Sequence, residues 1–313
     1  MTDTGHGLRV MTFNLQVDWD GAPRPWSGRR GPAVDALHHE RPHLLGTQEG
    51  LHGQVRDLEA GLGPDYAWIG QGREGGARGE FMALFYDRRR LAPLAHGHFW
   101  LSDTPEVAGS NTWGGGCPRM VTWARFRDLG TGRELCAANT HFDHLGDHAR
   151  LRSAQLLAQW LSARPADVPC LVTGDFNAPA GRSAAYDTLL AGADLVDAWE
   201  AAEERGPAYG TFHDHAPPVP DGDRIDWILA PRGSRVRSAG VNTAIGNGRY
   251  PSDHLPVHAL VHLAHLAPGR PAPLPAHSSL QSPQPASPSS SRQSLLPASS
   301  SPSSSPAPEV SAP

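Results

Sequence analysis

A set of polar side chains in this sequence stands where short apolar runs stop. Asn14 follows RVMTF, Glu49 follows LLGTQ and His141 follows CAANT. Asp175 and Asn177 lie in CLVTGDFN, Asp226 in RIDWIL, and Asp253 with His254 in YPSDHLPV. Asn14, Glu49, Asp175, Asn177 and Asp253 are hard oxygen donors, the type that Mg2+ or Mn2+ prefers. Asp175 and Asn177 are two residues apart, so extended backbone puts both on one face. There a carboxylate can deprotonate a water while the amide positions it. His141 and His254 can carry protons or steady a pentacoordinate phosphorus, given a carboxylate to fix their tautomer and raise their basicity. Glu80, just ahead of FMALFY, and Asp226 are the candidates for that orienting role. Taken singly, a strand-end Asn or Asp is as readily a turn or capping residue. Their recurrence after successive strands argues for one site, because a rigid scaffold can converge strand ends from distant parts of the chain.

The elements that must position these groups are legible as apolar runs rich in branched and aromatic residues. Strands are expected at Leu8–Phe13, His43–Thr47, Phe81–Tyr86, Met120–Phe126, Leu135–Thr140, Val168–Thr173, Ile225–Leu229 and Leu255–Leu263. Helical periodicity is clearest over 146–163, where Leu151, Ala154, Leu157, Ala158 and Leu161 share a stripe. Weaker helices are expected at Pro32–Glu40, His52–Gly61, Ser183–Ala191 and Leu195–Glu204. Strands outnumber helices without alternating strictly with them, which favours a layered α/β or α+β sandwich over a doubly wound sheet.

Composition limits the chemistry further. All 27 cationic residues are arginine, against 32 acidic ones, for a formal charge of −5. Without lysine there is no Schiff-base lysine, no Walker A lysine and no kinase strand lysine. Cys117, Cys136 and Cys170 form no CxxC, which argues against a zinc site or a disulfide scaffold and fits a reducing, cytoplasmic setting. No run of apolar residues is long enough for a membrane span, and a monomer is expected. Residues 268–313 are mostly proline, serine and alanine with no aromatic residue, so a disordered tail is expected there. The folded catalytic domain is expected at 1–267.

TFN, QE, NTH, GDFN, RID and SDH, in this order over Leu8 to about Leu263, resemble the endonuclease/exonuclease/phosphatase superfamily. That group includes pancreatic-type deoxyribonucleases, inositol polyphosphate 5-phosphatases, nocturnin and the deadenylases. The resemblance implies a four-layer α/β sandwich, two mixed sheets face to face with helices outside. It also implies roles. Glu49 matches the main metal-binding glutamate, and Asn14 and Asp253 lie beside it. His141 matches the histidine that assists the phosphate and leaving group, with Glu80 as its carboxylate partner. Asp175 and Asn177 match the pair that orients the attacking water. Asp226 matches the aspartate paired with His254. Gly50 departs from the bulkier residue many relatives carry, and no lysine-rich surface of the kind apurinic-site enzymes use is present.

GTQE and CPR look nearest to the nocturnin and deadenylase branch. RNA or a nucleotide is therefore the first expected substrate, cleaved as by a 3'-5' exonuclease. A DNA endonuclease comes second, and an inositol- or sugar-phosphate phosphatase third. A non-enzymatic binding module would need a lost block, and all six are present. Arg119, after a glycine-rich loop, is the arginine expected to meet substrate phosphate; Arg29, Arg73, Arg78 and Arg152 are weaker candidates. Trp26, Trp113 and Phe212 could stack a base or simply pin their loops. His144 and His148 are spaced to ligate a metal but read more simply as helix-start residues.

Overall fold

The computed structural model describes residues 7–264; the expected tail at 268–313 lies outside them. Strand β1 (Leu8–Asn14) pairs in parallel with β2 (Leu44–Gly50) and antiparallel with β13 (Val257–His262). Around these, β3 (Tyr66–Ile69), β4 (Phe81–Asp87), β10 (Ala202–Arg205) and β12 (Arg235–Val241) complete a seven-stranded sheet ordered β10-β12-β13-β1-β2-β4-β3. The second sheet, ordered β5-β6-β7-β8-β11-β9, has six strands. They are β5 (Leu91–Trp100), β6 (Met120–Asp128), β7 (Glu134–His141), β8 (Cys170–Asp175), β9 (Leu195–Asp197) and β11 (Asp226–Pro231).

Alternation along each strand divides the core into three apolar layers. Leu8, Val10, Leu44, Leu84, Phe126, Leu135, Ala137, Leu171 and Ile228 pack between the two sheets. Met11, Phe13, Leu45 and Phe85 face outward on the first sheet, against Leu37 of α1 (Trp26–Glu40) and Val55 and Leu58 of α2 (His52–Leu62). Val121, Ala138, Val172 and Leu229 face outward on the second, against Leu157 and Leu161 of α3 (Asp147–Ser162) and Leu189 of α4 (Ala184–Gly192). This is the expected sandwich, with helices covering both outer faces. Among the described residues no helix is long and apolar enough to cross a membrane.

Several elements differ from the sequence reading, which anticipates neither β3 nor β12. The expected helix over Leu195–Glu204 is broken into β9, a single turn and β10. Asp197 caps that turn by accepting from Trp199 N–H at 2.9 Å, while Leu229 of β11 pairs opposite it. Strand β5 was hidden by Pro93 and Gly97. It is an edge strand with a register shift between Pro93 and Ala95, where a proline costs no ladder bond. Helix α1 begins six residues before Pro32, which it carries inside.

The two sheets are also joined by a polar network at their centre. Asn139 on β7 donates from Nδ2 to the carbonyls of Thr47 (2.8 Å) and Ala83 (3.0 Å) on the opposite sheet. Its Oδ1 accepts from Gln48 Nε2 (2.7 Å) and Thr173 Oγ1 (3.2 Å). Gly46 makes room for this: a Cβ there would overlap Thr173 Oγ1 and Asn139 Oδ1.

Candidate active site

The inward-facing rows of the strands explain how distant residues meet. On β1 the row runs Val10, Thr12, Asn14; on β7 it runs Leu135, Ala137, Asn139, His141; on β8 it runs Leu171, Thr173, Asp175. Each begins in the apolar core and ends in a polar group at one rim of the sandwich. Register completes the alignment. His141 pairs directly with Asp175 across β7 and β8, and Asp226 pairs with Asp175 across β11 and β8. The candidate groups of the second sheet therefore stand side by side, facing Asn14 and Glu49 on the first.

Asn14 is the link. Its Nδ2 donates to Glu49 Oε1 and Asp175 Oδ2, both at 2.9 Å, while its Oδ1 accepts from Gln16 N–H at 2.9 Å. The amide thus presents its nitrogen to the two carboxylates and braces them, while its oxygen faces the backbone of Gln16. Glu49 sits in a β-bulge with φ 63°, a costly conformation for a non-glycine residue that turns its carboxylate into the rim. Its Oε2 accepts from Val17 N–H at 2.9 Å.

Asp175 and Asn177 do converge, but not through extended backbone. Strand β8 ends at Asp175, and Asn177 adopts φ 48°. That turn lets Asn177 N–H donate to Asp175 Oδ1 at 2.9 Å. Asn177 Nδ2 then lies 3.1 Å from Phe142 O and 3.0 Å from His141 Nε2. His254 Nδ1 is 2.9 Å from Asp226 Oδ2, as expected of an orienting carboxylate, and its Nε2 lies 3.7 Å from Asp175 Oδ2. His141 Nε2 is 3.4 Å from the same Asp175 oxygen.

Glu80 does not orient His141. Its carboxylate takes Arg73 Nη1 at 2.6 Å, while His141 Nδ1 is buried with no hydrogen-bond partner among the described residues. A full guanidinium charge outcompetes a neutral imidazole N–H for a half-buried carboxylate. Asp253 comes close enough to Glu49 for the two charges to oppose each other; Ser252 Oγ lies 3.1 Å from its Oδ1.

Crowding of acids in a dry rim sets the electrostatics. Burial, then the charge of Asp226, raises Asp175 to about 7. Burial and neighbouring Glu49 raise Asp253, and burial raises Glu80 to about 7 despite Arg73. Burial alone would lower His254, but Asp226 and Asp175 override it and favour the imidazolium. His141 moves the other way, lowered by burial and by Arg119 nearby. Ligand atoms of Glu49, His141 and Asp175 lie within 4.8 Å of one another. Glu49 and Asp175 receive hydrogen bonds from neutral amides, so their charge is available to a divalent cation. The donor chemistry of this rim fits one.

Beside His141 lies the opposite field. Arg119 is 5% exposed; its Nη2 is 3.0 Å from His144 Nδ1, while Nε and Nη1 have no partner among the described residues. Arg73 Nε is likewise unpartnered. Asp143 is consumed locally, accepting from Gly116, Leu145 and Gly146 N–H, and His148 is exposed. Trp26 pins its loop through Nε1 to Asp57, and Trp113 is half-buried under Arg152. Phe212 is 51% exposed and packs edge-on against His254.

Some supporting residues had no signal in the sequence. Arg29, expected at most as a phosphate contact, is fully buried. It donates to the carbonyls of Leu15, Gln16, Arg24 and Pro251, gathering the loops that carry Asn14 and Asp253. Thr211 is buried too: its Oγ1 accepts from Ile225 and Asp226 N–H, and its carbonyl from Leu255 N–H. A buried arginine in RPWSGRRG and a threonine in a loop look like surface residues until the chain folds over them.

Fold and site together define a phosphoesterase of the sandwich type, and the comparisons agree. Residues 11–254 match the model of the Endonuclease/Exonuclease/phosphatase family. The chain belongs to that family and is a metal-dependent phosphoester hydrolase. A family structure from Bacteroides vulgatus is 35% identical, with TM-score 0.77, over 82% of this chain and 99% of that one. A mannosyl-6-phosphatase from Bacteroides thetaiotaomicron is 31% identical, with TM-score 0.76, over 82% of this chain and 100% of that one. The human nocturnin catalytic domain with bound sulfate shares the fold at 20% identity and TM-score 0.65, over 82% and 95%. No curated protein is significantly similar in sequence.

Proposed function

We propose that this chain hydrolyses a small phosphomonoester, with a sugar phosphate as the leading substrate class. The observation that carries this reading is the pair Arg73 and Arg119, whose buried donors stand unpartnered beside His141. A phosphomonoester carries close to two charges at neutral pH and a diester one, so the unneutralised Arg119, with the spare Nε of Arg73 beside its Glu80 pair, favours the monoester. The 31% identity to a mannosyl-6-phosphatase supports the same class. This reading moves the third expected substrate ahead of RNA and DNA. A mononucleotide is the second reading, supported by exposed Phe212 against His254, where a base could stack.

In this account Asp175 takes the proton of the attacking water and Asn177 orients it. Glu49 and Asp253 would hold a divalent cation, Mg2+ or Mn2+, with Asn14 bracing Glu49 against Asp175. When bound, the cation neutralises phosphate charge and eases departure of the alcohol. His254, held by Asp226, donates to the phosphoryl oxygens; His141, kept neutral, shares that task. Arg119 and Arg73 bind the remaining oxygens. The same proposal keeps the expected cytoplasmic placement, and the enzyme acts as a monomer.

Phosphate release from mannose 6-phosphate, glucose 6-phosphate, AMP and short RNA and DNA, with Mg2+ or Mn2+, tests the reading. Sugar phosphates should lead; cleavage of RNA or DNA at higher kcat/KM would overturn the substrate class. Asp226→Asn should lower kcat by about 10²-fold, because the amide no longer favours the imidazolium of His254. Steady-state kinetics with an unchanged KM would support that assignment. Arg119→Ala should instead raise KM for a monoester by about tenfold, equivalent to one lost charge-assisted contact of roughly 1.5 kcal/mol. An effect on kcat alone would contradict a binding role.

A further inference from the structure

Cys136 and Cys170 are direct register partners on the adjacent parallel strands β7 and β8. Both point to the outer face of the second sheet, away from the site, and pack with Leu157, Ala158 and Leu161 of α3. Neighbouring strands lie about 4.8 Å apart, within the Cα separation that a disulfide spans. Both thiols are free and buried, 2% and 7% exposed, and each Sγ lies near the carbonyl of the next residue, Ala137 at 3.9 Å and Leu171 at 3.7 Å. Arg164 stands beside them with its guanidinium over Trp160 (3.9 Å) and Trp123 (4.9 Å), its Nε unpartnered among the described residues.

The pair is chemically uneven. The neighbouring Cys170 sulfur and Arg164 lower the Cys136 thiol, while burial raises Cys170. Cys136 is thus the sulfur favoured to ionise first. Cys117, the third cysteine, sits in the loop before β6 and has neither sulfur as a neighbour in register.

We propose that Cys136 and Cys170 are an oxidisable dithiol that closes to a disulfide in the folded protein, stapling β7 to β8 beneath α3. With a two-electron acceptor such as the diazene diamide, the Cys136 thiolate adds to the N=N bond and Cys170 sulfur then displaces the nitrogen. Two S–H bonds break and one S–S bond forms, and the hydrazine product takes both protons and both electrons. The strands so joined end in His141 and Asp175, themselves in register, five residues beyond each cysteine. At about 3.3 Å per residue the staple lies roughly 16 Å from that pair. It therefore fixes the pairing of the two strands that carry the site without entering the site.

The test uses the full chain, reduced and then treated with diamide without denaturant. Thiol titration after unfolding should fall from three groups to one. Because the chain has no lysine and Arg164 precedes proline, trypsin should yield Glu134–Arg150 cross-linked to Ser153–Arg182. Cys136→Ser or Cys170→Ser should abolish the cross-link, and Cys117→Ser should leave it intact. The oxidised protein should melt about 5 °C higher than the reduced one and return on adding dithiothreitol. Three thiols remaining, a link through Cys117, or a lower melting temperature would overturn the proposal. None of these readouts requires the phosphoesterase substrate to be right.

Discussion

Asp175→Asn is expected to lower kcat by about 10³-fold on every phosphoester the enzyme accepts, a scale set by loss of a positioned general base. The carboxylate is 1% exposed and receives Asn14 Nδ2 on one oxygen and Asn177 N–H on the other. An amide of the same shape can satisfy only one of these donors and cannot take a proton from water. The fold should survive, because the variant removes an acid that burial and Asp226 hold at about 7. The pH dependence follows from that direction. A carboxyl whose folded pKa exceeds its unfolded value binds more protons when folded, so its ionised form destabilises the fold as pH rises from about 4 to about 7. Metal-free Asp175→Asn should therefore melt above wild type at pH 8, and the gap should close by pH 4. In the wild type without excess metal, activity should fall below about pH 7, and saturating Mg2+ should move that limb to lower pH. Thermal melts across pH and kcat profiles at two metal concentrations check both statements. Retained activity in the variant would remove Asp175 from the reaction.

Asn139→Ala is expected to cost about 4 kcal/mol of stability, or on the order of 10 °C in melting temperature. The substitution removes the Asn139 donor from the Thr47 and Ala83 carbonyls and leaves the Gln48 amide with Thr12 Oγ1 alone, between the sheets where water cannot reach them. Thr47 lies two residues before Glu49, so the bulge that aims Glu49 should loosen as well. Metal affinity should drop along with the melting temperature. Denaturant titration and calorimetric Mn2+ binding measure the two effects, and a change below 1 kcal/mol would mean that the network is ornamental to the fold.

The sequence announced the rim better than what supports it. Asn14, His141, Asp175 and Asp226 were visible because apolar alternation continues up to each of them, so the inward row and its polar end can be read together. Asn139 belongs to the same kind of row, yet its partners Thr47, Gly46 and Ala83 come from the other sheet, and no spacing along the chain predicts them. Gly46 in LLGTQE was the available signal, a missing side chain opposite a buried amide. Glu80 was readable as a carboxylate near the site. Its partner was not, because the choice between His141 and Arg73 depends on how the loop around Arg73 returns to β4. Arg29 and β5 were hidden for the opposite reason: arginine, proline and glycine are ordinary surface and edge residues, and only closure of the loops buries the arginine.

The central claim is that a divalent cation held at Glu49 drives hydrolysis at this rim. Phosphate release should be measured with metal-stripped protein before and after adding Mn2+, for the wild type and for Glu49→Gln. The wild type should be inactive when stripped and recover by at least about 10²-fold with Mn2+, and Glu49→Gln should not recover. Activity that persists after stripping, or full recovery in Glu49→Gln, would contradict it.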